Sequence, residues 1–411
     1  MRRALVGLIA AGALVAPAAP AAPHGATHST AVAPPATPSA PATHAASPAT
    51  HAASSATHAA SPATSSDLCL AADPPPISAP ARRLRFGITP QLAGTVGTAQ
   101  GEVVPEDRSK RFAALRELRP PHRALVIRLS RLFMSDGRAA IRRFARRARA
   151  YARAGFAVES QIRYHPGPRH EGDMRCWRRF VDRASTALGR TPALVALTVT
   201  NEVNLPISEN TSDGAYPGAI NAILRGIPAA RRALDRLGRD DVELGFSYAY
   251  RYLPDADAEF WREIGERATP RFRRALDYVG VQIYPGLFWP PRLVTETAGA
   301  ATVEALTLLR GCWMPKAGLG GGTELWISEN GYATNLGHTE ARQADELRST
   351  VDAVHAYSGT LGVSDYRYFN LRDNRPNGTD LFDDVGLLRA DYSRKRAFGA
   401  YRGLIRELGD R

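Results

Sequence analysis

Leu-Val-Ala-Leu-Thr-Val-Thr, residues 194 to 200, is an apolar, β-branched run that stops at a polar pair, Asn201 and Glu202. A second run, Leu-Trp-Ile-Ser at 325 to 328, stops in the same way at Glu329. Strands of a parallel sheet are buried on both faces and read as nearly continuous apolar, β-branched segments. The two runs therefore predict parallel strands that each end at a carboxylate.

Runs of this type recur along the chain and alternate with segments of helical period. The predicted strands are Leu84 to Thr89, Ala124 to Leu129, Ala157 to Tyr164, Leu194 to Thr200, Val242 to Tyr248, Tyr278 to Tyr284, Glu324 to Ser328 and Tyr366 to Leu371. Eight such units in about 330 residues fit a closed (β/α)8 TIM barrel, an α/β fold, better than an open sheet. The nearest rival is a Rossmann-like fold, but no Gly-x-Gly-x-x-Gly follows the first strand.

The first 80 residues differ in composition from the rest. Residues 1–21 have an Arg2-Arg3 start, an apolar stretch and small residues suited to cleavage, which predicts a signal peptide and not a membrane span. Residues 22–80 are mostly Ala, Pro, Thr, Ser and His, a composition that predicts a disordered low-complexity linker. We therefore expect a secreted protein that is extracellular or associated with the cell wall. Its single folded domain, large enough for an enzyme, spans residues 81–411.

The chain is basic, with a formal net charge of +13. A positive surface is compatible with nucleic-acid binding or with an anionic wall polymer. The arginines, however, punctuate helical patterns such as 138 to 153 instead of forming one run interleaved with aromatic residues. The pattern favours a solvated helical surface and no nucleic-acid partner.

The chain has three cysteines. In an exported protein this number predicts one disulfide and one spare thiol. Cys69 precedes the first predicted strand and Cys312 precedes the seventh, so both belong to the floor of the barrel, whereas Cys176 opens a helix near the mouth. A Cys69–Cys312 pair is favoured, with the other pairings left open. No Cys or His spacing in the barrel is typical of a structural zinc site.

The two strand-end carboxylates, Glu202 and Glu329, have a chemical explanation. Cleavage of a glycosidic bond needs one carboxyl group to protonate the leaving oxygen and a second, ionised one to meet the anomeric carbon from the opposite side. In a (β/α)8 barrel, side chains at the C-terminal ends of different strands converge on one mouth. The two positions therefore predict a sugar-cleaving pair.

The surrounding residues resemble a known group of enzymes. Asn201-Glu202 and Glu329 are similar to the acid/base and nucleophile positions of clan A glycoside hydrolases, which are retaining enzymes on a (β/α)8 barrel. Thr-Asn-Glu at 200–202 and Ser-Glu-Asn-Gly at 328–331 look most like family 1 β-glycosidases. The chain departs from family 1 at Val203 and at Phe369, where that family has Pro and a substrate-stacking Trp, so the family is left unassigned.

The resemblance implies roles for individual residues. Glu202 would be the acid/base and Glu329 the nucleophile. The residues implied in substrate binding are Asn201, Arg128, Tyr284, His165 and Phe369. Trp289 is a further candidate, because it lies in the loop after the sixth strand, where an aromatic ring would stack on a sugar face. Two alternatives stay open: Arg128 can be a structural ion-pair partner inside the barrel, a less favoured interpretation, and His165 can equally be a capped loop residue. Strand parity places Trp326 on the face opposite Glu329, so we expect it to pack outward against the helices.

Together these patterns predict a secreted retaining glycoside hydrolase that cleaves β-glycosidic bonds of an oligo- or polysaccharide by double displacement. We expect a monomer with a carbohydrate substrate, no metal site and no organic cofactor. Two alternatives remain, namely a barrel that binds wall glycan without cleaving it, and a transglycosylase. A metal-dependent barrel hydrolase is disfavoured, since the predicted strands contain no His-x-His.

Overall fold

A computed structural model describes residues 69, 73–90, 103–251, 254–288, 296–376 and 378–410 of the chain. The predicted signal peptide, most of the predicted linker and Trp289 lie outside the described residues.

The strands close into a barrel in which each is parallel to its neighbours along the chain, and β8 pairs with β1. The strands are β1 (Arg85–Ile88), β2 (Val126–Phe133), β3 (Ala157–Arg163), β4 (Leu194–Val199), β5 (Glu243–Ala249), β6 (Tyr278–Gln282), β7 (Glu324–Asn330) and β8 (Val363–Tyr368). This confirms the predicted (β/α)8 barrel, with all eight strands in the predicted order.

Helices surround the barrel and pack their apolar side chains against the outward face of the strands. The helices are α1 (Arg108–Leu118), α2 (Gly137–Arg153), α3 (Met174–Gly189), α4 (Ala219–Asp235), α5 (Pro254–Arg267), α6 (Pro270–Ala275), α7 (Ala298–Leu308), α8 (Met314–Lys316), α9 (Glu340–Leu361) and α10 (Arg396–Leu408). Among the described residues, no helix combines the length and the apolar character needed to cross a bilayer.

The predicted position of the eighth strand is three residues too late. Helix α9 continues to Leu361 and ends at Gly362, whose φ of 66° is readily adopted by glycine, and β8 begins directly afterwards. The first half of β8 contains the polar pair Ser364 and Asp365, and Asp365 is buried inside the barrel. An apolar pattern cannot detect a strand that carries a charge into the core.

Ion pairs fill the lower part of the barrel interior. Asp365 accepts hydrogen bonds from Arg85 and Arg367, and Arg367 also donates to Glu159 at 2.8 Å. Trp326 lies among them, stacked on Tyr278 with 3.5 Å between ring centroids. The barrel interior is therefore charged and aromatic near its floor instead of uniformly aliphatic.

The prediction that Trp326 packs outward was wrong. Its ring lies inside the barrel, with the guanidinium carbons of Arg85 and Arg367 at 4.9 and 5.4 Å from its centroid. The cause is an irregularity in β7, where Ile327 pairs with Val281 and the next pair is Glu329 with Gln282. One extra residue shifts the alternation, so Trp326 and Glu329 share the inner face.

The predicted disulfide is present. Cys69 is bonded to Cys312, and the third cysteine, Cys176, is free and half-buried. The backbone amides of Ser78 and Ala79 donate hydrogen bonds to the Thr360 hydroxyl near the end of α9, at 3.0 and 3.2 Å. The described residues just before β1 are thus bound to the surface of the barrel.

Candidate active site

Glu202 and Glu329 lie at the same end of the barrel. Glu329 is the sixth residue of β7, and Glu202 follows the last residue of β4, Val199, by three positions. All strands run in parallel, so both side chains belong to the C-terminal mouth, where TIM-barrel enzymes hold their catalytic groups. Neither carboxylate lies beneath the floor.

The chain leaves its strand conformation immediately after β4. Thr200 and Glu202 both have positive φ angles, 77° and 44°, which are uncommon for residues other than glycine. Two side chains hold this turn: Asp213 accepts the Asn201 amide at 3.0 Å, and the Ser247 hydroxyl accepts the Glu202 amide at 3.1 Å. This departure from regular alternation brings the neighbouring residues Asn201 and Glu202 to the same mouth.

The side-chain amide of Asn201 is fixed by several partners. Its Oδ1 accepts hydrogen bonds from the Nε2 atoms of Gln161 and Gln282, at 2.9 and 2.6 Å. Its Nδ2 donates to the Thr211 carbonyl at 2.9 Å and lies 3.5 Å from Glu202 Oε2. The amide nitrogen is therefore directed toward Glu202. The amide oxygen already accepts hydrogen bonds from the two glutamines inside the barrel.

Glu329 is held by two donors. Arg128 Nη1 donates to Oε1 in a buried ion pair, and the Tyr284 hydroxyl donates to Oε2 at 2.9 Å. Hydrogen bonds from a cation and a hydroxyl to the two oxygens hold the carboxylate in one orientation. Sequence reasoning nominated both donors, although Arg128 lies inside β2 and not at its end. The strand continues to Phe133 through a register shift between Leu129 and Leu132.

Glu202 has the opposite electrostatic environment. Burial, and after it the negative charge of Glu329, together raise its pKa from the ordinary value of a glutamic acid to about 8. The positive charges of Arg163 and Arg128 oppose this shift without cancelling it. At neutral pH Glu202 therefore carries a proton that it can donate, and the two carboxyl groups are close enough to interact electrostatically.

Two further nominated residues, His165 and Phe369, follow strands at the same mouth. His165 follows β3, and its Nδ1 lies 2.9 Å from the Ser135 hydroxyl. The centroids of the His165 and Phe133 rings are 4.5 Å apart. Phe369 follows β8 and is buried. Its ring lies edge-to-face with the Tyr284 ring, with 6.4 Å between the two centroids. Trp289, nominated as a sugar-stacking platform, is outside the described residues.

Several residues of the site were missed by sequence reasoning. Glu159, Gln161 and Arg163 alternate along β3 and all point into the barrel, where they bind Arg128, Asn201 and Asp213. Three polar residues at every second position of an otherwise buried strand were the available signal, because inner-face residues of a strand recur with period 2. A prediction based on apolar runs alone identifies the strand but not the polar residues on its inner face.

Glu159 links the candidate nucleophile to the charged floor. It is fully buried, and its oxygens accept from Arg128 Nε at 3.2 Å, Thr198 Oγ1 at 2.9 Å and Arg367 Nε at 2.8 Å. Removing one partner from a buried ion network leaves the other charges uncompensated. We expect Glu159→Gln to lower the free energy of unfolding by about 3 kcal/mol, measured by urea denaturation.

The control for this variant is Glu340→Gln. Glu340 pairs with Arg389 on the surface, where both side chains are partly exposed, so the loss is expected to be about 1 kcal/mol or less. Equal losses in the two variants would contradict a stabilising role for the buried network.

No protein-family model and no curated protein sequence matches the chain. Solved structures with a similar fold include a family 1 β-glucosidase from Thermotoga maritima, with 13% identity, a TM-score of 0.53 and coverage of 82% of this chain and 100% of that one. A β-glycosidase from Pyrococcus horikoshii has 14% identity, a TM-score of 0.50 and coverage of 74% and 84%. A family 39 glycoside hydrolase from Bacteroides cellulosilyticus has 13% identity, a TM-score of 0.52 and coverage of 80% and 64%. At these identities the similarity shows the fold.

Proposed function

We propose that the chain is a retaining glycoside hydrolase that cleaves β-glycosidic bonds of an oligo- or polysaccharide. The observation that carries this proposal is the contrast between two carboxyl groups at one barrel mouth. Glu329 accepts hydrogen bonds from Arg128 and Tyr284, whereas burial and the charge of Glu329 raise the pKa of Glu202 to about 8. The raised pKa of Glu202 assigns it as the acid, and the two hydrogen bonds that orient Glu329 assign that carboxylate as the nucleophile.

The proposed reaction has two steps. Glu329 attacks the anomeric carbon while Glu202 gives its proton to the glycosidic oxygen, which breaks the bond and forms a covalent glycosyl-enzyme. Glu202, now ionised, takes a proton from water, and the resulting nucleophile releases the sugar from Glu329. The proton returns to Glu202 in this second step. No metal or organic cofactor takes part.

The neighbouring residues would position the sugar. Asn201 presents its Nδ2 beside Glu202 because its Oδ1 is occupied, so the amide is oriented as a donor to a substrate hydroxyl. Tyr284 and Arg128 hold the nucleophile in one rotamer. Such fixed geometry contributes to catalysis because the groups need no rearrangement in the transition state.

We also propose that the enzyme acts outside the cell. The support is the sequence of residues 1–21, with its basic start and apolar stretch, together with the disulfide between Cys69 and Cys312. A glycan of the cell surface or of the surroundings is then the accessible substrate class.

The proposal is tested by incubating the purified protein with a panel of nitrophenyl glycosides and polysaccharides and by following the products with proton NMR. A retaining enzyme releases the β-anomer first, and the α-anomer appears later by mutarotation. Initial release of the α-anomer from a β-linked substrate would contradict the double displacement. Glycan binding without any bond cleavage would favour the non-catalytic barrel, and transfer to added sugar acceptors in place of water would favour a transglycosylase.

A further inference from the structure

Three side chains with metal-binding atoms lie together where α3 begins. His170, Asp173 and Cys176 each offer one donor atom, and these atoms all lie within 4.8 Å of one another. His170 and Asp173 are exposed and Cys176 is half-buried, so water and ions reach the cluster. It lies in the connection from β3 to α3, separate from the carboxyl groups of the candidate active site.

The backbone holds the three residues on one side of the connection. The Asp173 amide donates to the His170 carbonyl at 3.1 Å, which forms a turn immediately before the helix. Asp173 then caps α3, because its Oδ1 accepts the amides of Arg175 and Cys176 at 3.1 and 2.9 Å. The capping bonds use Oδ1 and leave Oδ2 for a ligand. The spacing of three residues places Asp173 and Cys176 about one helical turn apart at the start of α3, and His170 lies one hydrogen-bonded turn before Asp173.

The segment that carries the cluster is also anchored to its surroundings. The Gly172 amide donates to the Tyr164 hydroxyl at 2.9 Å, and Glu171 Oε1 accepts the Gly218 amide at 2.8 Å. These bonds fix the main chain between His170 and Asp173 against β3 and the start of α4. A metal ion would therefore need to order only side chains, which lowers the entropic cost of binding.

We propose that His170, Asp173 and Cys176 form a surface site for a zinc ion. An imidazole nitrogen, a carboxylate oxygen and a thiolate sulfur are the ligand types that Zn²⁺ accepts, whereas Mg²⁺ and Ca²⁺ require oxygen ligands. Zinc–ligand bonds of about 2.0–2.3 Å in a tetrahedron separate the donor atoms by about 3.5 Å. Rotation of these accessible side chains closes the remaining gap.

The charges in the site suit a dication. The carboxylate of Asp173 and the thiolate of Cys176 neutralise Zn²⁺, and His170 contributes a neutral ring nitrogen. Cys176 is half-buried and packs against the apolar core, and Arg179 Nη2 lies 3.6 Å from its Sγ, so a bound ion requires this exposed guanidinium to turn away. Water takes the fourth position of the tetrahedron.

Zinc at this site would stabilise the mouth end of α3. All three ligands come from a segment of seven residues, 170–176, so the ion connects the helix to the loop after β3 and leaves the remainder of the barrel unchanged. The role is structural, and it holds whether or not the barrel cleaves glycosides.

The test is titration of the full chain with Co²⁺, followed by optical spectroscopy. Cys69 and Cys312 are bonded to each other, so a thiolate-to-cobalt charge-transfer band reports Cys176 alone. The histidines at 44, 51 and 58 would confuse a simple stoichiometry but cannot produce this band. We expect a band that rises to saturation with increasing Co²⁺ and is abolished when Zn²⁺ is added.

Three variants decide the ligand set. Cys176→Ser is expected to remove the band, while His170→Ala and Asp173→Asn weaken cobalt binding by about 10-fold or more. Asn caps a helix as well as Asp does, so Asp173→Asn keeps the helix start and removes only the anionic ligand. His122→Asn, at an exposed histidine elsewhere, is the control and should bind as the wild type does.

The inference fails if the wild-type protein gives no thiolate band, or if His170→Ala and Asp173→Asn bind cobalt with unchanged affinity. Neither result depends on glycoside cleavage, so failure of the metal site and failure of the proposed enzyme activity are distinguishable.

Discussion

Glu329→Gln is expected to lower kcat on an activated nitrophenyl β-glycoside by about 10⁴-fold or more. The amide has nearly the same size, its oxygen can accept from Arg128 and its NH2 group can donate to the Tyr284 hydroxyl, so the fold and the mouth are retained. It cannot, however, form the ester with the anomeric carbon, and that bond is the first step of the proposed reaction. Initial rates at saturating substrate measure the effect.

Glu324→Gln is the matched control. Glu324 lies at the opposite end of the same strand, β7, and accepts a hydrogen bond from the Ser364 hydroxyl that a glutamine can also accept. We expect rates within about twofold of the wild type, since the residue is remote from the mouth. A Glu329→Gln enzyme that turns over at the wild-type rate would remove the proposed nucleophile.

The second large effect is expected from Glu202, through the pH dependence of kcat/KM. Its pKa of about 8 means that the carboxyl group is protonated below that pH and ionised above it. The first step needs the proton, so kcat/KM is retained below about pH 8 and is lost as the pH rises through this value. Glu202→Gln is expected to remove this alkaline limb, because a glutamine does not titrate.

The basicity of the leaving group provides a second test of Glu202 as the acid. Glu202→Gln should lower kcat/KM by about 10²–10⁴-fold on an alkyl glycoside, whose leaving oxygen needs the proton. The loss should be much smaller on a dinitrophenyl glycoside, because that anion leaves without protonation. Azide is expected to restore part of the turnover of Glu202→Ala by attacking the glycosyl-enzyme without help from a base, and to yield a β-glycosyl azide.

Glu209→Gln is the control for the pH experiment. Glu209 is exposed in the same connection after β4 and accepts a hydrogen bond from the Tyr216 hydroxyl. Its substitution should leave the alkaline limb in place. If the limb survives in Glu202→Gln, another group supplies the proton and the assignment of Glu202 is wrong.

Sequence patterns predict the architecture because the outward face of every strand is apolar. Segments such as Leu194–Val199 are buried against helices, and this burial requires the β-branched composition that marks them in the sequence. The positions of Glu202 and Glu329 follow, since each ends such a segment. The Cys69–Cys312 pair follows from the same topology, because both residues belong to the N-terminal end of the strands.

The residues on the inner face of the barrel cannot be predicted from such apolar patterns. Glu159 and Asp365 are buried charges, and each is neutralised by a guanidinium from another strand, that of Arg367 for Glu159 and that of Arg85 for Asp365. Those partners are distant in sequence, so no local pattern identifies them. Trp326 illustrates a second limit: one extra residue in β7 reverses the face on which a side chain lies, and the sequence contains no mark of that insertion.

The electrostatics of the mouth are likewise a property of the fold. A glutamic acid acquires a pKa of about 8 only when burial and a second carboxylate act on it together. The sequence places Glu202 and Glu329 at two strand ends, but it does not show that Arg128 and Tyr284 both bind Glu329. This arrangement is what distinguishes the acid from the nucleophile.

The central claim is that Glu329 forms a covalent bond to the sugar, and a trapping experiment tests it most directly. A 2-deoxy-2-fluoro β-glycoside with a dinitrophenolate leaving group reacts in the first step, while the fluorine slows release of the intermediate. Mass spectrometry of the digested protein should find the fluorosugar esterified to Glu329, and the adduct should be absent from Glu329→Gln. An ester on a different carboxylate, or turnover of the substrate without any adduct, would contradict the account.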